Sequence, residues 1–233
     1  MTSLTSCGLV VAVAVSLCAG AVAHASSITA HLASATATSQ KGKERATPAV
    51  IWLKPLTGSV AEAPTTKFSM LQKDKTFAPH LLVIPAGSTV VFPNADPFFH
   101  NVFSLFDGKR FDLGLYEAGS ARSIVFSREG VSYIFCNIHP DMSSVVLALT
   151  TPHYSVADAN GQFRIAAVPE GDYELHVWVE GRHDDALKHL TRRVHVNAGP
   201  TDLGEIQPGP RDTPATHLNK FGRPYETDGK PSY

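Results

Sequence analysis

Short apolar runs, alternating or continuous and rich in Val, Ile, Phe and Tyr, recur along most of the chain. Runs of this length and composition, bounded by turn residues such as Glu129-Gly130 and Asn160-Gly161, are typical of β-strands. The pattern predicts eleven strands: Ile28–Leu32, Ala49–Leu53, His80–Ile84, Thr89–Phe92, Asn101–Phe103, Ser123–Phe126, Ser132–Cys136, Val145–Leu149, Gln162–Ala166, Tyr173–Val179 and Arg192–Val196.

No long segment of the sequence has a helical period, and only His183–Leu190 is predicted to form one or two helical turns. Many short strands joined by frequent turns predict an all-β fold of the sandwich or barrel type. A chain of 233 residues is long enough for one large or two small β domains.

The first residues depart from this strand pattern. An apolar run from Gly8 to Ala23 ends in small residues, and Ala21-Val22-Ala23 and Ala23-His24-Ala25 both fit the cleavage site of a secretory signal peptide. The run is shorter than the roughly 20 residues that a transmembrane helix needs. We therefore expect residues 1–25 to be a signal peptide, the mature protein to be periplasmic, and no membrane span to remain after cleavage.

Composition narrows the possible partners. A hydrophobic content of 43% and a charged content of 18% are those of a packed globular protein rather than a disordered one. The formal net charge is −1 and no polybasic run is present, which argues against nucleic acid or an anionic membrane surface as the partner.

The cysteine count points to a special role for one residue. Cys7 and Cys18 lie in the predicted signal peptide, so the mature chain keeps only Cys136. Exported proteins usually pair their cysteines in disulfides. A lone cysteine therefore indicates an intermolecular disulfide, a buried inert thiol or a thiolate bound to a metal.

The neighbours of Cys136 favour the metal. The motif Cys-x-x-His-x-x-Met puts Cys136, His139 and Met142 on one short loop at a predicted strand end, and His100 comes from a neighbouring strand end. A thiolate, two imidazoles and a thioether are the ligands of an electron-transfer copper site, in which Met is the weak axial ligand. These four residues are therefore predicted to bind one copper ion. A zinc site of the Cys-x-x-His kind would need a second ligand pair, and the mature chain has no other cysteine.

The stretch from about Lys67 to Thr151 resembles a cupredoxin, the family of plastocyanin, pseudoazurin and amicyanin. The resemblance rests on Phe77-Ala-Pro79, on Val83–Asn94, on His100-Asn101 and on the spacing of the loop ligands, which is most similar to amicyanin. It implies a Greek-key sandwich with a type 1 (blue) copper site.

The resemblance also implies roles for single residues. Asn101 would help to fix the ligand loop by hydrogen bonds, and His139 would lie nearer the surface as the electron exit. Asn137 and Ile138 depart from amicyanin-like loops, which have Thr or Ser and then Pro at these places. The whole chain also resembles exported proteins labelled methylamine utilisation proteins.

The remaining histidines are interpreted as surface or packing residues, because they are scattered and form no His-x-His pair. The absence of such pairs also argues against a multicopper oxidase. This interpretation is least certain for His80, because Phe77-Ala-Pro-His80 could lie near the end of the domain that holds the predicted copper ligands.

Residues after Leu149 resemble a carboxypeptidase-regulatory-like (transthyretin-like) sandwich. The turn Asp158-x-x-Gly161-x-Phe163 precedes the turn Pro169-x-Gly171-x-Tyr173, as in that family. The family's first two strands are missing just before Tyr154, and Ile28–Leu32 and Ala49–Leu53 could supply them. We therefore hypothesise that both ends of the mature chain form one small sandwich with the cupredoxin inserted between them; a tandem of two sandwiches is the alternative.

Five segments follow from these observations: 1–25, a signal peptide; 26–65, N-terminal strands that could belong to the second sandwich; 66–151, the cupredoxin domain; 152–206, the carboxypeptidase-regulatory-like portion; and 207–233, a flexible tail.

Three functions remain in competition. The first is an exported type 1 copper protein that carries one electron to or from a transient exported redox partner. The second is a copper delivery or storage protein without redox turnover, which would use the same ligands. The third is an interaction or carbohydrate-binding module in which the copper site is incidental. No enzyme activity is predicted, because four protein ligands leave no open position for a substrate.

Overall fold

The computed structural model describes residues 26–33, 36–38, 44–58, 64–105, 108–212 and 218–225. The predicted signal peptide, with Cys7 and Cys18, lies outside the described residues. Nineteen strands lie within them: β1 (Ser26–Leu32), β2 (Thr36–Thr38), β3 (Glu44–Ala46), β4 (Ala49–Pro55), β5 (Lys67–Ser69), β6 (Leu71–Lys73), β7 (Thr76–Ala78), β8 (Leu81–Pro85), β9 (Thr89–Pro93), β10 (His100–Ser104), β11 (Phe111–Tyr116), β12 (Ala121–Val125), β13 (Gly130–Cys136), β14 (Ser143–Leu149), β15 (Tyr154–Val156), β16 (Gln162–Val168), β17 (Gly171–Val179), β18 (Arg192–Val196) and β19 (Thr201–Ile206).

The all-β class predicted from the sequence is confirmed. Each of the eleven predicted strands is present, with ends that shift by a few residues. The predicted helical stretch contains the short helix α1 (Asp184–Leu187), which continues as a 3-10 turn (Lys188–Leu190). Within the described ranges, no helix combines the length and the hydrophobicity that crossing a membrane requires.

Two sheets form the sandwich that bears the candidate site. One sheet has the order β11-β10-β13-β14-β8 and the other has the order β12-β9-β5, with parallel pairing between β14 and β8 and between β5 and β9. The alternating side chains of the two sheets meet in one core, because successive residues of a strand point to opposite faces. The buried members of that core are Met70, Phe77, Ile84, Val90, Phe92, Val102, Tyr116, Phe126, Ile134, Cys136, Met142, Val146 and Ala148.

The second sandwich also consists of two sheets, in the orders β16-β1-β19 and β15-β4-β17-β18. Strands β1 and β4 precede the site-bearing sandwich in the chain, whereas β15 to β19 follow it. Among the described strands, β4 pairs with β15 and β17 and not with the site-bearing sandwich, which is the pairing that the insertion hypothesis requires. The exact limits of the five segments stay predictions.

The two sandwiches pack against each other through a third apolar cluster. On β4, Ala49, Ile51 and Leu53 face the core of the second sandwich, whereas Val50 and Trp52 face the first sandwich. On β14, residues alternate in the same way between the first core and this shared cluster. Both faces of these strands are therefore buried, which explains why each reads as a continuous apolar run.

Candidate metal centre

Sheet register brings two of the predicted ligands together. His100 is the first residue of β10 and Cys136 is the last residue of β13. The two strands are antiparallel neighbours with Val102 opposite Cys136. Because the start of one antiparallel strand lies beside the end of the other, the two side chains meet at one end of the five-stranded sheet.

A tight loop supplies the other two ligands. The backbone N–H of Met142 donates to the carbonyl of His139 at 3.0 Å, and the N–H of Cys136 donates to the carbonyl of Met142 at 3.3 Å. These bonds fold the loop back on itself before β14 begins at Ser143. His139 and Met142 are thereby held at the same end of the sheet as Cys136.

The three strongest donors of the predicted set converge on one buried point. The Sγ atom of Cys136 lies 3.6 Å from Nδ1 of His100 and 3.6 Å from Nδ1 of His139. All three donor atoms lie within 4.8 Å of one another. Met142, the fourth predicted ligand, is buried in the same apolar cluster as Cys136.

These separations fit a metal with thiolate and imidazole ligands. Nitrogen and sulfur ligands lie about 2.0 to 2.3 Å from such a metal, so two of them in a trigonal plane are roughly 3.5 to 4 Å apart. The observed Sγ–Nδ1 separations of 3.6 Å fall in this range. The donor types and their spacing therefore fit a type 1 copper site.

A carboxylate fixes the orientation of His100. The Nε2–H group of His100 donates to Oδ2 of Asp96 at 2.8 Å, so Nδ1, which faces Cys136, is the ring atom that would bind a metal. Asp96 in turn accepts backbone N–H groups from Asp74 at 2.7 Å and Lys75 at 3.0 Å. A carboxylate behind a ligating histidine sets its tautomer and makes it a better donor.

The turn that holds Asp96 has an uncommon conformation. Asp74 and Lys75 join β6 to β7, and their φ angles are +53° and +55°. Two successive residues of positive φ make a two-residue hairpin turn of type I′, which usually contains Asn and Gly. Here the strained turn aims both N–H groups at the Asp96 carboxylate.

The electrostatics of the site prepare two of the three buried donors, Cys136 and His139, for a metal. Burial raises the pKa of Cys136, but hydrogen bonds from His100 and from the backbone of Asn101, Ile138 and His139 outweigh it, and the net pKa is lowered. Burial, followed by the nearby charge of His100, lowers the pKa of His139 to about 4. Burial lowers the pKa of His100, but its hydrogen bonds with Cys136 and Asp96 outweigh this effect, and the net pKa is raised. A metal binds a thiolate and neutral imidazoles, so it would have to displace a proton from His100.

Asn101 connects the ligand loop to a neighbouring strand. Its backbone N–H bonds to the thiolate of Cys136. Its side chain, however, donates to Oδ1 of Asp112 on β11 at 2.6 Å rather than to the ligand loop. The ligand loop is therefore connected to β11 through Asn101.

His139 is the most accessible of the four predicted ligands, but it is still buried. The resemblance implied that it would lie nearer the surface, and 4% of it is accessible to solvent, against 0% of His100 and Cys136 and 1% of Met142. The ring of Phe98 lies 5.4 Å from its ring, and the ring of His100 lies 4.9 Å away. The Nε2 atom of His139 is itself buried, so the imidazole has no exposed nitrogen.

The other histidines of the described ranges do not join the site. His80, whose interpretation was the least certain, pairs through Nε2 with Glu180 of the second sandwich. Within the part of the chain that the structure describes, His100, Cys136 and His139 form the one group of three or more such side chains able to hold a metal ion.

Sequence reasoning missed several residues around the ligands. Asp96 lies four residues before His100, and this short spacing is a weak indication that its carboxylate lies near the ligand. Lys220 and Tyr225 belong to the predicted flexible tail, yet they bond to Asn137 and Cys136 of the ligand loop. Contacts between residues more than 80 positions apart have no signature in a single sequence.

One known family matches part of the chain. Residues 153–202 match the family described as polysaccharide lyase family 4, domain II. This is a different family from the carboxypeptidase-regulatory-like one that the turns indicated. An additional β-sandwich segment is present in any case, and its finer resemblance stays a prediction. No curated protein matches this chain.

Several solved structures are similar to part of the chain. A purple cupredoxin from Nitrosopumilus maritimus is 26% identical, covering 35% of this chain and 99% of its own, with a TM-score of 0.32. A copper-containing nitrite reductase from Thermus scotoductus SA-01 is 22% identical, covering 41% of this chain and 25% of its own, with a TM-score of 0.35. A reduced mutant of amicyanin is 18% identical, covering 42% of this chain and 98% of its own, with a TM-score of 0.34. TM-scores at this level carry no conclusion about the function.

Proposed function

We propose that this chain binds one copper ion in a type 1 site formed by His100, Cys136, His139 and Met142, and that it acts as a one-electron carrier. The observation behind the proposal is the buried convergence of one thiolate and two imidazole nitrogens, with both Sγ–Nδ1 separations at 3.6 Å. When bound, copper supplies a one-electron couple between Cu(I) and Cu(II), and a nitrogen and sulfur ligand set suits both states.

The protein's part is to hold the ligands still and to exclude water. His100, Cys136 and Met142 are essentially inaccessible to solvent, and the Phe98 ring lies 5.3 Å from that of His100. A close-packed surrounding resists movement of the donor atoms. An electron carrier needs such fixed ligands, because any rearrangement that accompanies a change of charge slows electron transfer.

The wider setting is part of the same proposal. The protein is exported to the periplasm by residues 1–25, and its partner is another exported redox protein that it meets transiently. The four side chains fill the coordination positions of the site, so we propose no enzyme activity. The portion after Leu149, with its carboxypeptidase-regulatory-like turns, serves as a rigid support, because its sheet packs on the back of the site-bearing sheet.

One observation favours a second candidate. The burial of His139 leaves little ligand surface through which a partner could exchange electrons. A copper storage or delivery protein needs no such surface, because it does not exchange electrons with a partner. The same four ligands would serve this function.

Two rates separate the candidates. The first is electron self-exchange in a mixture of Cu(I)- and Cu(II)-loaded protein, measured by NMR line broadening. The second is transfer of Cu(I) to a chromogenic chelator. A carrier should exchange electrons quickly and release copper slowly. Slow exchange together with ready transfer to the chelator would contradict the carrier and support delivery.

A further inference from the structure

The segment 218–225 contacts the ligand loop directly, although it follows the last strand and was predicted to be part of a flexible tail. The phenol Oη–H of Tyr225 donates to the backbone carbonyl of Cys136 at 2.7 Å. The backbone N–H of Lys220 donates to Oδ1 of Asn137 at 2.9 Å. Both acceptors belong to the loop that starts with the predicted thiolate ligand.

A second route connects the segment to the same thiolate. The ammonium group of Lys220 donates to Oδ2 of Asp112 at 2.9 Å. The other oxygen of Asp112 accepts the amide of Asn101 at 2.6 Å, and the backbone N–H of Asn101 bonds to the Cys136 thiolate. Lys220 is therefore linked both to the ligand loop and to the strand end that carries His100.

The segment has an ordered shape of its own. Oδ1 of Asn219 accepts the backbone N–H groups of Phe221 at 3.0 Å and Arg223 at 3.1 Å. The N–H of Asn219 donates to the carbonyl of Arg223 at 2.8 Å. An Asn side chain that bonds to following N–H groups stabilises a turn. This turn spaces Lys220 and Tyr225 so that both reach the ligand loop.

These contacts come from outside the ligand loop and add to the two backbone hydrogen bonds that close it. Cys136 is the last residue of β13, and the chain is not paired again until β14 begins at Ser143. The side chain of Asn137 and the carbonyl of Cys136 are tied to the rest of the protein by Lys220 and Tyr225. Each such bond limits the conformations that the ligand loop can adopt without a metal.

We propose that Lys220 and Tyr225 are positioning residues of the metal centre, which hold the Cys136–His139 loop in its ligand geometry before metal binds and slow the release of the metal afterwards. The second half of this proposal rests on the proposed copper site, whereas the first half concerns the metal-free protein alone. Preorganised ligands bind more tightly because less freedom is lost on binding.

The metal-free protein gives the primary test. The rate at which Cys136 reacts with a disulfide thiol reagent is compared in the unmodified chain and in the double variant Lys220→Ala/Tyr225→Phe. The double variant removes the Tyr225 bond to Cys136 and the ammonium bond of Lys220 to Asp112, and it keeps the backbone bond from Lys220 to Asn137. Losing one net hydrogen bond changes an opening equilibrium about fivefold, so losing two should accelerate the reaction by about 5- to 25-fold. The control is Lys67→Ala/Tyr154→Phe, which alters an exposed lysine and an exposed tyrosine remote from the loop.

Urea unfolding of each variant checks that the fold is intact, and the single variant Tyr225→Phe repeats the test with a smaller change. A rate equal to that of the control in both folded variants would overturn the proposal. This result would not count against the proposed copper site, so the failure of this proposal can be distinguished from the failure of that one.

Copper-loaded protein gives the second test. In the double variant, Cu(I) should pass to a chelator about tenfold faster, and the thiolate-to-copper absorption band of the Cu(II) form should shift, because the Cys136 backbone is released. A structural role remote from the ligands would leave the band unchanged. An unshifted band together with an unchanged transfer rate would contradict the role in metal retention.

Discussion

At the scale of single residues, the Asp96 carboxylate determines which nitrogen of the His100 ring faces the metal site. It accepts Nε2–H of His100 and is itself held by two backbone N–H groups of the β6–β7 turn. Burial opposes the charge of Asp96, but the hydrogen bond from His100 and those from Lys75 and Asp74 outweigh it, and its pKa is lowered. Asp96 is therefore a carboxylate when it orients the imidazole.

The substitution Asp96→Asn tests this role. It keeps the size of the side chain but removes the negative charge, so copper affinity should fall by about 10- to 100-fold, the usual effect of losing such a partner. The reduction potential should rise, because Cu(II) loses more stabilisation than Cu(I). Chelator competition and a redox titration measure these effects. The control is Asp141→Asn, an exposed carboxylate next to Met142; equal effects of the two substitutions would contradict the role of Asp96.

Single-residue chemistry also explains which parts of the site the sequence could predict. The spacing of Cys136, His139 and Met142 is local, and one loop brings these residues together whatever surrounds it. Asp96 and Tyr225 act through hydrogen bonds that exist only once the chain has folded. The ligand types are therefore readable in the sequence, whereas their supporting partners are not.

At the scale of elements, some strands cannot be predicted from the pattern of apolar and polar residues, and the structure gives the physical reasons. Several, such as β5 (Lys67–Ser69), are three residues long and largely exposed, which is too short for a two-residue period to be recognised. Strands β11 and β19 each contain a glycine of positive φ, Gly114 at +71° and Gly204 at +73°. The pairing register shifts beside both glycines. A bulge of this kind breaks the two-residue period on which prediction depends.

Strand β17 makes the stability of the second sandwich depend on pH. His176 stacks on Trp52 of the neighbouring strand with ring centroids 5.2 Å apart. Burial lowers the pKa of His176, and Lys54 adds to this, while Glu174 and Glu129 only partly offset it. As pH falls below the ordinary histidine value of about 6.5, the unfolded chain takes up a proton that the folded chain resists. Stability present at neutral pH is therefore lost on acidification.

The substitution His176→Gln should reduce the loss of unfolding free energy between pH 7 and pH 5. Urea unfolding at a series of pH values measures this slope. His189→Gln, an exposed histidine next to β18, is the matched control and should leave the slope as it is. If both variants keep the full slope, His176 is not responsible for it.

At the scale of the whole molecule, one apolar cluster joins the two sandwiches. It contains Trp178 and Trp52 from the second sandwich and Val145, Leu147 and Leu149 from β14 of the first. The indole N–H of Trp178 also donates to Oη of Tyr133 at 3.3 Å, and Tyr133 lies on the strand that ends at Cys136. The second sandwich therefore supports the sheet from which the ligands project.

The substitution Leu147→Ala tests this coupling. Leu147 is buried between the sandwiches, and its truncation should lower the free energy of unfolding by about 2 to 5 kcal/mol. Leu115→Ala, which removes the same atoms from a side chain that is 58% exposed, should change it by less than about 0.5 kcal/mol. Urea unfolding followed by circular dichroism measures both. A small effect at Leu147 would mean that the sandwiches do not stabilise each other.

The central claim is that Cys136 binds copper as a thiolate together with His100, His139 and Met142. The measurement that tests it most directly is the visible absorption and electron paramagnetic resonance spectrum of the Cu(II)-loaded protein beside its Cys136→Ser variant. The account predicts an intense thiolate-to-copper band and a narrow copper hyperfine splitting, both lost in the variant. A weakly coloured protein whose spectra do not change with the substitution would contradict it.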